Sequence, residues 1–265
     1  MAEISPEYGA VAFFDILGYR NLNLHNEIET TASIVLEIID KIPSFVRSYV
    51  LEAIPRPDAK EIADDILRQI VWKIFSDTIF TSIPIAKGGI KAFDVMKWGI
   101  FLASCLSLQR HSFDEGLPLR GAISTGYYFL KDNCFVGRPV IDSYDLCQKQ
   151  DWAGGALTKS AEIEFTYLLE NTQAKNAAYN IDKFLSYYPV PMKEGGEVRM
   201  LCLRWGGARS LLSIPRLFSY KGAEGLDEYV IGSFQAHLKG LPSSVRKKID
   251  NTKKFLDFLK SPYEP

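Results

Sequence analysis

The tightest constraint on this chain is a pair of short apolar runs that each meet an acid at a turn. Residues 9–14 read Gly-Ala-Val-Ala-Phe-Phe and stop at Asp15, Ile16 and a glycine turn. A continuous apolar run bounded in this way suits a buried central strand, with Asp15 at its C-terminal edge. Residues 70–75 and 79–84 are β-rich runs separated only by Ser76, Asp77 and Thr78, the pattern of an antiparallel hairpin with an acid at its tip. If these strands are neighbours, two carboxylates far apart in sequence converge. Carboxylates are hard oxygen donors suited to one or two Mg²⁺ ions that share coordination with substrate phosphates. The plain alternative is that each acid caps its own turn. Apolar residues on both sides weigh against that, because burying an isolated carboxylate is costly unless its charge is compensated.

The rest of the chain predicts alternating elements. Apolar residues at three- and four-residue spacing predict one long amphipathic helix over 27–51. Residues 55–65 are charged and proline-punctuated, and are expected to form a surface excursion. A helix is expected over 90–109, a strand over 119–130 and a second β segment at 133–137 after a turn. Then follow a helix (139–150), a strand (155–158), a helix (159–169), a β pair (184–189 and 198–205), a loop rich in Gly and Pro, and a basic amphipathic helix (243–259). This order predicts an α+β fold of ferredoxin-like character, with a sheet mixing parallel and antiparallel pairs under helices. No internal repeat is evident, and no linker separates two domains.

Composition narrows the function classes. With 265 residues, 47% of them apolar, the chain can bury a substantial core. Lys plus Arg number 31 against 32 Asp plus Glu, so the net charge of −1 offers no global field for a nucleic-acid polymer. Cys105, Cys134, Cys147 and Cys202 form no C-x-x-C pair and read as reduced thiols in a cytoplasmic protein. The first ten residues carry acids and a proline where a secretory signal needs a basic start and an apolar run. The apolar stretches fall short of the roughly 20 residues that span a bilayer, so no stable membrane association is expected. His25, His111 and His237 have no spacing that suggests a catalytic triad, and no Walker A or G-x-G-x-x-G signature occurs. The basic residues of 246–254 fit the wet face of the last helix.

Four segments together resemble the class III nucleotidyl cyclases. Residues 13–19, Phe-Phe-Asp-Ile-Leu-Gly-Tyr, are similar to that family's F-x-D-I-x-G-F strand and turn. Residues 74–80, Ile-Phe-Ser-Asp-Thr-Ile-Phe, resemble its second metal-aspartate hairpin, with Ser76 where a glycine is usual. Residues 118–126 resemble the R-x-G-I-x-x-G strand, and residues 135–140 the G-x-x-V opening of the following helix. The resemblance covers about residues 8–165 and implies a cyclase-like catalytic domain over 1–206, with 207–265 as a C-terminal extension ending in the amphipathic helix.

Carried over residue by residue, the resemblance implies that Asp15, Asp77 and the main-chain carbonyl of Ile16 hold two Mg²⁺ or Mn²⁺ ions per site. It implies a phosphate-binding role for Arg120, which suits the bidentate geometry of a guanidinium. Lys73 stands at the base-reading lysine of adenylyl cyclases. Cys134 stands at the partner position, which is Asp in adenylyl and Cys in guanylyl enzymes, so the pair matches neither purine code. Arg138, beside the glycine turn, is a candidate phosphate contact or a solvated side chain. The family's transition-state Asn and Arg would fall on Ile141 and Asp145 and are absent.

The divergent bacterial pyrimidine cyclases of the Pycsar anti-phage system are more similar in size, in the Ser-Asp hairpin, in lacking the Asn-x-x-x-Arg helix, and in the helix of residues 140–152. That resemblance implies an enzyme making cUMP or cCMP from UTP or CTP. It also implies a homodimer with sites shared between protomers, and a product read by a downstream effector protein. The expectation from a different class is a non-catalytic cyclase-like module that binds nucleotide or only dimerises; within enzymes, the alternative is an adenylate cyclase.

Overall fold

The computed structural model describes residues 5–39, 41–54, 56–132, 134–171, 181–206, 225–237 and 243–260. Strand β1 (Glu7–Ile16) lies inside an eight-stranded sheet. On one side it pairs with β3 (Thr78–Pro84), which pairs in turn with the edge strand β2 (Val71–Phe75). On the other side β1 pairs with β4 (Leu119–Lys131), followed by β6 (Gly154–Leu157), β8 (Glu197–Leu203) and the opposite edge strand β7 (Leu185–Pro191). The short β5 (Cys134–Gly137) pairs with the far end of β4. Pairing is antiparallel throughout except for β4 with β6. The fold is therefore α+β with a mixed sheet, as its element order predicts.

The continuous apolar run of β1 reflects burial on both faces. Ala10, Ala12, Phe14 and Ile16 join the main hydrophobic cluster, whereas Val11 and Phe13 join a smaller one on the opposite face with Phe80, Tyr128 and Phe135. Helix α5 (Ala92–Asp114) is buried along most of its length, packed against α3 (Ile42–Glu52), α4 (Pro57–Leu67) and the sheet. Its apolar residues accordingly circle the whole helix. Ser104 and Ser107, buried on α5, donate back to the carbonyls four residues earlier at 2.8 and 2.7 Å. The other sheet face carries α6 (Arg138–Lys149), over β1 and β4, whereas α7 (Lys159–Asn171) buries Ala161, Phe165 and Leu168 in the main cluster, with the Phe165 ring edge-on to Trp98 of α5. Two C-terminal helices, α8 (Leu226–Gln235) and α9 (Ser243–Lys260), complete the main core with Tyr229, Phe234, Phe255, Leu256 and Leu259.

Three expectations are corrected. The single helix over 27–51 is two, α2 (Ile28–Ile39) and α3, with a short α1 (Tyr19–His25) before them. Pro43 sits in the first turn of α3, where its missing N–H costs nothing, so it opens a second helix instead of interrupting a first. The charged segment at 55–65 is no surface loop but most of α4, which opens on Pro57 and buries Ala63, Ile66 and Leu67. Arg47 of α3 donates to both Asp64 oxygens of α4, at 2.6 and 2.8 Å. Helix α8 was not anticipated; the loop of 207–224 before it lies outside the described residues. Among the described residues no helix is long and apolar enough to cross a membrane.

Candidate active site

The register of the sheet assembles the site. Side chains directly opposite each other on neighbouring strands share a face. Asp15 lies opposite Thr78 on β3 and Arg120 on β4, Phe75 lies opposite Thr78, and Gly154 lies beside Arg120. One row thus reads Phe75, Thr78, Asp15, Arg120, Gly154. The next row on the same face reads Lys73, Phe80, Phe13, Ala122, Ala156. Lys73 is therefore one row from Asp15 along the strands, about 7 Å, and two strands across the sheet, about 10 Å.

Asp77 reaches this row through the hairpin. Ser76 and Asp77 form the two-residue connection between Phe75 and Thr78, and Ser76 adopts a left-handed φ of 57°. The Ile16 N–H donates to the Asp77 carbonyl at 2.9 Å, tying the turn to the end of β1. The two carboxylates feel each other. Burial raises the Asp15 proton affinity, the Arg120 charge opposes it, the Asp77 charge raises it further, and hydrogen bonds from Arg120 and Gln148 lower it; the balance lies above the ordinary aspartate value.

Arg120 is held from several sides. Its Nε and Nη2 approach the same Asp15 oxygen, Oδ2, at 3.0 and 2.8 Å. Nη1 donates to the Gln148 and Gln150 carbonyls at 3.4 and 3.2 Å, and Nη2 to Gln148 Oε1 at 2.6 Å. The Arg120 side chain is 7% exposed and that of Asp15 14%. In this conformation the guanidinium donates to protein acceptors and serves as the counter-cation of Asp15. Gly121, the next residue, has no alternative, since a Cβ there would fall 2.2 Å from the Phe14 ring.

The remaining expected residues are more dispersed. Cys134 is exposed on β5, opposite Lys131. Its neighbour Phe135 places its ring 3.7 Å, centroid to centroid, from Phe80, the cross-strand partner of Lys73. The β4–β5 arm thus meets the Lys73 row. Arg138 does not join the Asp15 row. Its side chain is 83% exposed, pairs with Asp142 at 2.6 Å, and lines a separate cleft of about 710 Å³ with Asp145, Lys149, Lys159 and Arg199. The N-cap of α6 is Gly137, whose φ of 147° disfavours any side chain; a Cβ there would also lie 2.6 Å from the Tyr127 carbonyl.

Sequence reasoning missed Gln148, Gln150 and Lys193. The Lys193 ammonium feels burial first and the Arg120 charge next, both lowering its pKa, while Asp15 opposes them. The Lys193 main-chain N–H donates to the Lys149 carbonyl at 2.8 Å. No motif spacing points to these residues, because the β7–β8 turn meets the end of α6 only in the folded chain.

Among the described residues no group of three or more His, Cys, Asp or Glu side chains gathers as a metal cage. The donor set at this edge is two carboxylates with main-chain oxygens nearby. Asp15 approaches Arg120 through Oδ2 alone in its closest contacts. An oxygen-only set of this kind fits a hard divalent cation that keeps some of its own water.

No known family pattern matches the chain, and no curated protein does. Among solved structures the fold is similar to that of a bacterial light-regulated adenylyl cyclase, at 13% identity and a TM-score of 0.43, over 80% of this chain and 97% of that one. It is also similar to a class III adenylyl cyclase-like ATP-binding protein from Pseudomonas aeruginosa, at 13% identity and a TM-score of 0.42, over 67% of this chain. This chain spans 39% of that protein's length.

Proposed function

We propose that the chain is a nucleotidyl cyclase that converts a pyrimidine ribonucleoside triphosphate, UTP or CTP, into a 3′,5′-cyclic nucleotide and pyrophosphate. The observation that carries the reading is the convergence of Asp15 and Asp77 at one sheet edge, where the charge of one raises the proton affinity of the other. In the reaction the ribose 3′-oxygen loses its proton and forms a bond to the α-phosphorus, and the bond to pyrophosphate breaks. Asp15, Asp77 and the Ile16 carbonyl would hold Mg²⁺ or Mn²⁺, which would favour the 3′-alkoxide and offset charge on the phosphates. Lys73, on the same face, would contact the base, with Cys134 of the arm as the second base contact. Arg120 would keep Asp15 ionised and oriented, and Lys193 would add positive charge for the triphosphate.

The pyrimidine preference is supported by the Lys73 and Cys134 pair, which matches neither purine pattern, and by Ile141 and Asp145 on α6 in place of Asn and Arg. On this reading the product is a cytoplasmic second messenger in anti-phage defence, read by an effector, and the enzyme is a homodimer.

The test is incubation of the purified protein with Mn²⁺ or Mg²⁺ and each of the four NTPs separately, with products resolved by mass spectrometry. Cyclic product from UTP or CTP, lost in Asp77→Ala, is the expected result. Cyclic AMP as the main product would overturn the pyrimidine assignment, and no turnover of any NTP would favour the second reading. That reading, a cyclase-like module that binds nucleotide without turning it over, draws on one observation: Arg120 has its donors committed to protein acceptors.

A further inference from the structure

We infer that the C-terminal helix α9 is a positioning element for the Asp15–Arg120 pair, acting through Asp151. The segment 148–153 runs from the last turn of α6 to the start of β6 and lies between α9 and Arg120. On its inner side, the Gln148 and Gln150 carbonyls and Gln148 Oε1 accept three hydrogen bonds from the guanidinium. The Gln150 amide donates to the carbonyl of Gly121, the residue after Arg120, at 2.8 Å, and its Oε1 accepts from the Trp152 indole at 2.7 Å.

On its outer side, the same segment is clamped to α9. The Asp151 side chain, 7% exposed, pairs with Lys247 at 3.0 Å and Lys248 at 3.1 Å. The Asp151 carbonyl accepts from Asn251 Nδ2 at 2.8 Å, and the Ala153 N–H donates to the Thr252 hydroxyl at 2.9 Å. Trp152 packs edge-on against Phe255, with centroids 4.5 Å apart. Four consecutive residues, 150–153, therefore face Arg120 or Gly121 on one side and α9 on the other.

A guanidinium can hold one carboxylate oxygen while donating to two carbonyls only if those carbonyls stay fixed relative to the sheet. The Gln148 carbonyl belongs to the last turn of α6, whereas Gln150 lies in the irregular stretch after it, which is fastened to β7 through the Asp151 N–H on the Pro191 carbonyl at 2.9 Å and, on its outer side, to α9. Helix α9 supplies two lysines that pair with Asp151, two side-chain hydrogen bonds to the main chain and an aromatic wedge. This assigns a task to a region that the catalytic motifs do not reach.

The link between α9 and Arg120 is independent of the reaction; the link to turnover rests on the proposed cyclase activity. The direct readout is the Arg120 Nε–H resonance in ¹⁵N-edited NMR of the full chain, assigned by its loss in Arg120→Lys. In Asp151→Asn, which removes the ion pairs without leaving a buried charge, hydrogen exchange at that N–H is expected to accelerate about tenfold, as local opening becomes easier. In Asn251→Ala, which leaves the ion pairs in place, a smaller acceleration in the same direction is expected. Circular dichroism identifies any variant that fails to fold, and Asn251→Ala then carries the test. Cyclic product formation, measured in parallel, should lose kcat with little change in KM, and Lys247→Arg with Lys248→Arg should retain it. An unchanged Arg120 exchange rate in folded Asp151→Asn and Asn251→Ala would overturn the inference, whatever the activity. Faster exchange in a protein that turns over no NTP would leave the positioning role standing and count against the cyclase reading instead.

Discussion

Asp15 sits where opposed influences meet. Burial and the Asp77 charge push its pKa up, Arg120 and Gln148 pull it down, and the net shift is upward. A carboxylate in that position depends on the Arg120 guanidinium hydrogen-bonded to it, and removing that cation strands the charge. Arg120→Ala is therefore expected to cost about 3 kcal/mol or more in urea unfolding, since it abandons a buried carboxylate and the acceptors of Gln148 and Gln150 together. Arg120→Lys should fall between, because an ammonium keeps the charge but lacks the planar fork that spans Oδ2 and two carbonyls. Gly121 presents a steric version of the same dependence. Gly121→Ala, with a Cβ 2.2 Å from the Phe14 ring, is expected to lower stability by about 1–3 kcal/mol by overpacking, measured by the same unfolding curves. The aspartates were legible in the sequence because local signals place them: an apolar run that ends at one, and a two-residue turn that holds the other. The commitment of Arg120 was not, because its partners come from 28 and 30 residues further on and from the far end of a helix.

At the scale of elements, legibility followed how local each cause was. Hairpin β2–β3, strand β4 and helix α6 stand close to their expected positions, since alternation, turn residues and helical spacing act over a few residues. The reading of 27–51 as one helix failed because its apolar spacing runs on while the chain restarts at Pro43. Segment 55–65 was misjudged from charge, although its acids and bases occupy the outer side of a helix whose inner side reaches the core. The hairpin carries one visible strain. Ser76 holds a left-handed φ that glycine adopts freely, so Ser76→Gly should raise stability by about 0.5–1 kcal/mol without disturbing Asp77. The clamp between α9 and residue 151 has a pH signature. Burial alone would raise the Asp151 pKa, but Lys247 and Lys248 overcome it and the value falls below the usual aspartate range. The folded state thus binds this proton less readily than the unfolded one. Its stabilising contribution is present above the ordinary aspartate pKa and fades as pH falls through the depressed value. Thermal unfolding from neutral pH down into that acidic window should show a shallower loss of stability in Asp151→Asn than in the parent chain.

For the whole molecule, the open question posed by the geometry is whether one chain or two complete a site. Lys73 shares a sheet face with Asp15, one row along and two strands across. The surroundings argue for two. Phe75, at the end of the Asp15 row, is 83% exposed, and Val136, Ile141 and Tyr144 leave further apolar surface on β5 and α6. Large apolar groups beside a charged site are costly to leave in water, and in the proposed homodimer a second copy docked there would cover them. Complementation separates the two arrangements. Asp77→Ala and Lys73→Ala each lack one contributor, and each alone should form little cyclic product. If sites are shared across a two-fold axis, mixing the two variants and letting subunits exchange restores one intact site in every mixed dimer. Random pairing makes half the dimers mixed, so recovery should approach about a quarter of parental activity. If each protomer builds its own site, mixing restores nothing. Light scattering on both variants confirms that they still pair, and no recovery from variants that do pair would place Asp15, Asp77 and Lys73 in one chain.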